Sequence, residues 1–195
     1  MSRVVFLLEE PSMRILLEGL LPRLVPSLEF LCVTHEGKQD LERSIPRKLR
    51  AWKEPGVQFV VVRDNDRGDC LALKARLAEL CADSGREDTL IRLACQELEA
   101  WYLGEPEALA HAYERPALAR LAKQARYRNP DSVHHPSAAL KTLVPEFQKV
   151  LGARLMSSRL SAENRSHSFR AFLSGVQRIA ESFAEVSRRK EPEGR

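Results

Sequence analysis

The sequence has no Gly-rich phosphate loop. A nucleoside triphosphatase of that kind is therefore excluded, and any ATPase would be another chain. No run approaches the roughly 20 apolar residues of a membrane-spanning helix. The opening MSRVVFLLEE reaches acids too soon for a signal peptide, so a cytoplasmic protein with no membrane partner is expected. The four cysteines, Cys32, Cys70, Cys81 and Cys95, form no CxxC pair and have no histidine at zinc-finger spacing. That argues against a structural zinc or a disulfide framework, and the expectation is reduced core cysteines. Aromatic residues make up 6% of the chain and do not interleave with its basic residues, so no stacking platform for single strands is indicated. No internal repeat stands out.

What is present fits a chain that builds its own core. The 195 residues suit one domain, or one domain with an appendage. Apolar residues are 44% and charged residues 30%. The net charge of +4 permits contact with nucleic acid without demonstrating it. Half of it comes from the terminal SRRKEPEGR, with four Arg/Lys against two Glu.

Three short β-rich runs, VVFLL (4–8), LEFLCVT (28–34) and VQFVVV (57–62), are too short for helices, and TLIRLAC (89–95) reads as a fourth strand. Helical stretches separate them: 11–24, with Pro22 breaking or kinking its end; 38–52, with Pro46 as a first-turn residue of a second helix; and 70–83, ended at Ser84-Gly85. This alternation over residues 1–104 predicts an α/β core, a mostly parallel sheet of about four strands with flanking helices. Residues 105–195 read as an α-helical extension packed on that core. Its helices are expected at 105–114, 117–127, 135–156 and 167–189, with 96–103 leading in, a loop at 128–136 and a frayed end after about Arg189.

The chemistry is concentrated where strands end. In an open α/β sheet ligands bind outside the carboxyl ends of the strands. Strand one ends in Glu9-Glu10 and strand three in Arg63-Asp64-Asn65-Asp66. If those strands are neighbours, the acids share one crevice. Clustered carboxylates repel and raise one another's pKa, a cost that a divalent cation relieves. An all-oxygen donor set selects Mg²⁺ or Mn²⁺, as in phosphoryl-transfer sites. The bland alternative is a turn at Asp66 and Gly68, an N-cap at Asp69 and a helix start at Glu10-Pro11-Ser12.

These stretches resemble a known family. A first strand ending in Glu and a later strand ending in Asp-x-Asp is the Toprim pattern of topoisomerases, primases and overcoming-lysogenization-defect (OLD) nucleases. The chain is more closely similar to the Toprim-like family known as domain of unknown function 4276. That resemblance is carried by FLLEEPS, HEGKQDLERSIPRKLRAW, VVVRDNDRGDCLALKARL, IRLACQELEAWYLGEPEAL, HHPSAALKTLVP and SHSFRAFLSGV, in order along the chain. It implies a Toprim-like fold and an Mg²⁺-dependent site. Glu9 matches the strand-one glutamate, and Asp64 and Asp66 match Asp-x-Asp. Glu10 stands where Toprim enzymes usually carry glycine, which leaves the choice between Glu9 and Glu10 open. The resemblance also implies pairing with an ATPase in defence systems.

Glu97 and Glu99 in CQELEAWYL are further candidates, Glu99 as a catalytic residue because the resemblance centres on Glu-Ala-Trp; the plain alternative is first-turn acids of a helix. Lys38 follows strand two and is a candidate phosphate contact near a helix N-terminus, with a solvated loop lysine as the plain alternative. Arg63 and Arg67, interleaved with the acids, join it as candidate substrate contacts. His134-His135, and the basic residues Arg120, Lys123, Arg126, Arg128, Arg154, Arg159, Arg165 and Arg170, are candidates for an imidazole and a backbone-binding groove; solvated surface is the plainer reading of both. The expected function is a metal-dependent phosphodiesterase acting on DNA or RNA. Glu9, Asp64 and Asp66 would be its metal ligands, and Glu9, Glu10, Asp64, Asp66 and Glu99 its catalytic set. Competing readings are a non-catalytic sensor or binding subunit of a partner ATPase, and an enzyme acting on a small phosphate ester.

Overall fold

The β-rich runs pair side by side in parallel. In the computed structural model, which describes residues 2–190, the strands are β1 (Arg3–Leu8), β2 (Phe30–Thr34), β3 (Val57–Asp64) and β4 (Leu90–Ala94). Their order is β2-β1-β3-β4. Parallel neighbours require crossovers, and the helices supply them: α1 (Pro11–Leu24), α2 (Lys38–Ala51) and α3 (Cys70–Ala82). β1 pairs with β2 through Val5↔Leu31 and Leu8↔Thr34, and with β3 through Arg3↔Val57 and Leu8↔Val62. Strands one and three are thus neighbours. The chain leaves β1 to build β2 on one side and returns to build β3 on the other. Their carboxyl ends flank the switch point at which α/β sheets open a crevice.

Side chains alternate along each strand, so the sheet has two apolar faces. Val5, Leu7, Val57, Phe59 and Val61 pack against Leu41, Ile45 and Leu49 of α2 and Leu77 and Cys81 of α3. Val4, Phe6, Leu8, Val60 and Val62 pack against α1 and the helical second half of the chain. One continuous core therefore runs from the sheet into that half. Each fully buried Leu, Val or Phe contributes about 1.5–3 kcal/mol, and Val4 through Leu8 are all completely buried. α2 runs unbroken through Pro46, so no second helix begins there. Leu41, Ile45 and Leu49 lie on one face at helical spacing, and their burial offsets the backbone bond that the proline removes.

The second half is more broken than its apolar pattern predicts. It contains α4 (Glu99–Leu103), α5 (Pro106–Ala112), α6 (Pro136–Leu143), α7 (Lys149–Ser157) and α8 (His167–Lys190). The expected helix at 117–127 forms two 3-10 segments, Pro116–Lys123 and Ala125–Tyr127, and a third 3-10 turn, Pro130–Ser132, lies in the expected loop. The expected helix at 135–156 is two helices, because Pro145 turns Val144 out of the helical region. The frayed end expected after about Arg189 falls, beyond Lys190, outside the described residues. Trp101 of α4 is fully buried between Phe169 and Phe172 of α8, with ring centroids 5.3 and 5.1 Å away. Its indole Nε1 donates to Ser168 Oγ at 3.0 Å, so its polar edge is satisfied in the core. No helix among the described residues is long and apolar enough to cross a membrane.

Candidate functional site

Alternation decides what reaches the carboxyl edge. In β3, Val61 and Arg63 share the α2/α3 face, whereas Val62 and Asp64 share the face covered by α1 and the second half. Arg63 is 5% exposed, and its guanidinium is engaged by Glu42, with Glu9 Oε2 at 3.8 Å from Nε. Asp64 is 4% exposed, and its Oδ1 has no hydrogen-bond partner. Glu9, one residue past β1, accepts a hydrogen bond from the Asp64 backbone N–H at 3.1 Å. The first strand's glutamate is thereby fixed against the third strand's aspartate.

Three more charged groups complete the cluster. Glu10 begins the turn into α1 and accepts from Ser12 Oγ and from Lys149 Nζ, the latter at 3.1 and 3.3 Å. Glu99, in the first turn of α4, is 1% exposed, and neither of its carboxylate oxygens has a partner. Beside it the Tyr102 hydroxyl is also buried and unpartnered. Lys149, the first residue of α7, is a cation whose charge reaches Glu99, Glu10 and Asp64 together; burial pulls its pKa down, and these acids outweigh that and hold it up.

The electrostatics follow from burial with too little positive charge. Burial, then Glu9, Glu99 and Glu10, push the Asp64 carboxyl well above the usual range. Glu9 is also raised, by burial first, against the lowering bond from the Asp64 backbone N–H. Burial raises Glu99 to about 7, against a lowering contribution from Lys149. A carboxyl near neutrality exchanges protons at working pH.

Asp66 lies at the rim, half exposed, with Lys38 Nζ 2.9 Å from its Oδ2. This contact ties the loop after β2 to the loop after β3. Gly37, at φ 91°, precedes Lys38, a conformation that favours glycine, and its N–H donates to the Glu9 carbonyl. Asp66, Arg67 and Gln96 all take positive φ, a concentration of sparsely populated conformers of the kind found around sites. Arg67 is exposed beside them. Asp69 caps α3, accepting from the Leu71 and Ala72 N–H groups at 2.8 and 3.2 Å. Glu97 accepts from Ser137 N at 2.7 Å, anchoring the first turn of α6. The structure thus brings Glu9, Glu10, Asp64 and Glu99 together, sets Asp66 and Lys38 at the rim, and employs Asp69, Glu97 and Arg63 in local contacts.

Among the described residues, no three His, Cys, Asp or Glu side chains stand as a ready-made ion cage. A groove of about 500 Å³ opens at the opposite edge of the sheet, beside Gly56 and Gly85, and contains none of these acids. His134 and His135 are exposed on the loop before α6, His135 at φ 51°. Arg165 is committed to the Tyr127 and Arg128 carbonyls, while Arg120, Lys123 and Arg126 are exposed. Sequence reasoning missed Lys149 and Tyr102. Pro145 signals the break before α7, but no local signal sets Lys149 at the site.

Fold and site define an α/β protein whose parallel sheet ends in buried carboxylates beneath a helical layer. The chain belongs to the family described as domain of unknown function (DUF4276), whose family model matches residues 8–177. Among solved structures it is similar to the C-terminal region of the Burkholderia pseudomallei OLD protein, at 18% identity and a TM-score of 0.56, covering 92% of this chain and 99% of that one. It is also similar to the C-terminal region of the Xanthomonas campestris pv. campestris OLD protein, at 13% identity and a TM-score of 0.54, covering 95% and 98%. These likenesses extend over the sheet and the helical half together. Comparison with curated proteins gave no match.

Proposed function

We propose that the protein is a Toprim-like, metal-dependent phosphodiesterase acting on DNA or RNA. The observation that carries this reading is the buried carboxylate group at the β1/β3 switch point, with Asp64 Oδ1 and both Glu99 oxygens lacking partners. Buried anionic oxygens without donors are costly, and a hard divalent cation would satisfy Asp64 and offset the charge of Glu99. The oxygen-only set fits Mg²⁺ or Mn²⁺, and Glu9, Asp64 and Asp66 are the residues that would hold it. When bound, such an ion polarises a phosphate oxygen and lowers the pKa of a bound water.

The chain's own groups do the rest. Glu99, poised near neutrality, accepts a proton from the attacking water or returns one to the leaving oxygen. Lys149, bonded to Glu10 and within reach of the Glu99 charge, offsets both and meets a phosphate oxygen. Lys38 and Arg67 at the rim neutralise the neighbouring phosphates. Arg63, buried, holds Glu9 in place without touching substrate. The likeness to the OLD C-terminal regions supports the reading at the level of fold, and it motivates a neighbouring ATPase as partner.

A second reading, a non-catalytic sensor subunit of that ATPase, is favoured by one observation. Lys38 and Lys149 already pair with Asp66 and Glu10, which is how a site that no longer recruits a metal would be neutralised. The test is cleavage of single- and double-stranded DNA and RNA with Mg²⁺ or Mn²⁺, comparing wild type with Asp64→Asn. Metal-dependent cleavage lost in the variant supports the enzyme. No cleavage on any substrate, with or without the co-purified ATPase, supports the sensor.

A further inference from the structure

Cys32 and Cys81 are buried, as expected of core thiols, but Cys70 and Cys95 are half exposed. Cys70 is the first residue of α3, and Cys95 follows directly on β4. The Cys70 thiol is near enough to Cys95 to act on its charge. Asn65 spans the same gap: its Nδ2 donates to Cys70 Sγ at 2.9 Å, and its Oδ1 accepts from the Gln96 N–H at 2.5 Å. Backbone bonds from Asn65 N to the Ala94 carbonyl and from Asp66 N to the Gln96 carbonyl, both 3.1 Å, run alongside. The Cys95 N–H is held by Ser168 Oγ of α8 at 3.2 Å. The two loops joined here carry Asp64 and Asp66 on one side and Glu97 and Glu99 on the other.

We infer that Cys70 and Cys95 form a reversible disulfide and that this pair is a redox-modification site across the two acid-bearing loops. Asn65, bonded both to the Cys70 thiol and to the backbone N–H that follows Cys95, sets the two cysteines on neighbouring segments pinned by hydrogen bonds, so that a short approach of the sulfurs bridges them. With hydrogen peroxide as oxidant, the Cys70 sulfur attacks one peroxide oxygen, the O–O bond breaks, and the departing hydroxide takes up the thiol proton as water. The Cys95 sulfur then attacks the Cys70 sulfenic acid. The S–S bond forms, the S–O bond breaks, and the hydroxyl leaves as water with the Cys95 proton. Two thiols and one peroxide give one disulfide and two waters. Burial, with Asp131 and Cys70 alongside, pushes the Cys95 thiol up to about 12, which assigns the first attack to Cys70 and the resolving step to Cys95.

The test uses the full chain treated with peroxide, alkylated under denaturing conditions and digested with trypsin. The expected product is GDCLALK (68–74) linked to the peptide that begins at Leu93 and contains Cys95. The link is released by dithiothreitol, while Cys32 and Cys81 are recovered alkylated. Cys70→Ser and Cys95→Ser each abolish it. The bridge closes residues 70 to 95, so oxidation raises the melting temperature of the wild type, on the order of 10 °C, and leaves both variants unmoved. Separate over-oxidation of the two cysteines, a link between two copies, or a link to Cys32 or Cys81 overturns the inference. None of these readouts depends on hydrolysis, so the result stands apart from the proposed activity.

Discussion

Replacing Glu99 by glutamine should make the protein more stable at alkaline pH, and by an amount that the structure sets. In the fold this carboxyl sits at about 7, against an ordinary value of 4.5. Its folded value is raised, so the protonated form is the one the fold prefers. Below about pH 4.5 the group is neutral in both folded and unfolded chains, and there is no difference to gain. Between about 4.5 and 7 the unfolded chain releases the proton and the fold resists, so stability falls as pH rises. Above about 7 the full penalty applies, about 3 kcal/mol for that separation. Glutamine carries no charge at any of these values and keeps the size of the protonated acid. Urea unfolding of wild type and Glu99→Gln from pH 4.5 to 8.5 should therefore give curves that coincide at the acid end and separate by about 3 kcal/mol at the alkaline end. That is roughly 6–12 °C in melting temperature for a chain this long. A divalent cation that binds the wild-type site should narrow the gap by stabilising the charged form. A gap that stays constant with pH, or a variant less stable than wild type at pH 8, would show that Glu99 is satisfied when ionised and would remove it as the proton carrier.

Removing the cation should move the same titration further. In Lys149→Met the lowering influence on Glu99 is gone, so its midpoint should rise above about 7, read from the pH dependence of stability or from the carbon resonance of a labelled carboxyl; an unmoved midpoint would separate Lys149 from the cluster. Asp69→Ala should cost about 1 kcal/mol through loss of the α3 cap, measured by denaturant unfolding, and leave metal-dependent cleavage unchanged; a variant of normal stability that no longer cleaves would restore Asp69 to the site.

The strands and the first three helices were legible because each carries its own local signal, a β-branched run or a 3.6-residue apolar period bounded by proline, glycine or a cap. The convergence of Glu9 and Asp64 was legible for a related reason. Once β1 and β3 are neighbours in a parallel sheet, their carboxyl ends are level. Lys149 was not legible. It lies 139 residues from Glu10, and α7 brings it there by docking on α1, where Gly19 is so tightly packed against Ser157 that a Cβ would lie 2.4 Å from its Oγ. No period within residues 135–156 encodes that contact. Asp69 and Glu97 illustrate the opposite failure: their placement beside strand ends suits a ligand, yet each is occupied by backbone N–H groups, and composition does not distinguish the two uses.

Arg63 and Asp64 are adjacent in the chain yet serve opposite sides of the sheet. Inserting a single residue upstream in β3 would turn each to the other face, setting a guanidinium among the glutamates and an aspartate on the α2 side, where Glu42 now meets Arg63. The third strand is for that reason a poor place for length variation, and relatives that differ in length should carry their extra residues in the connections instead.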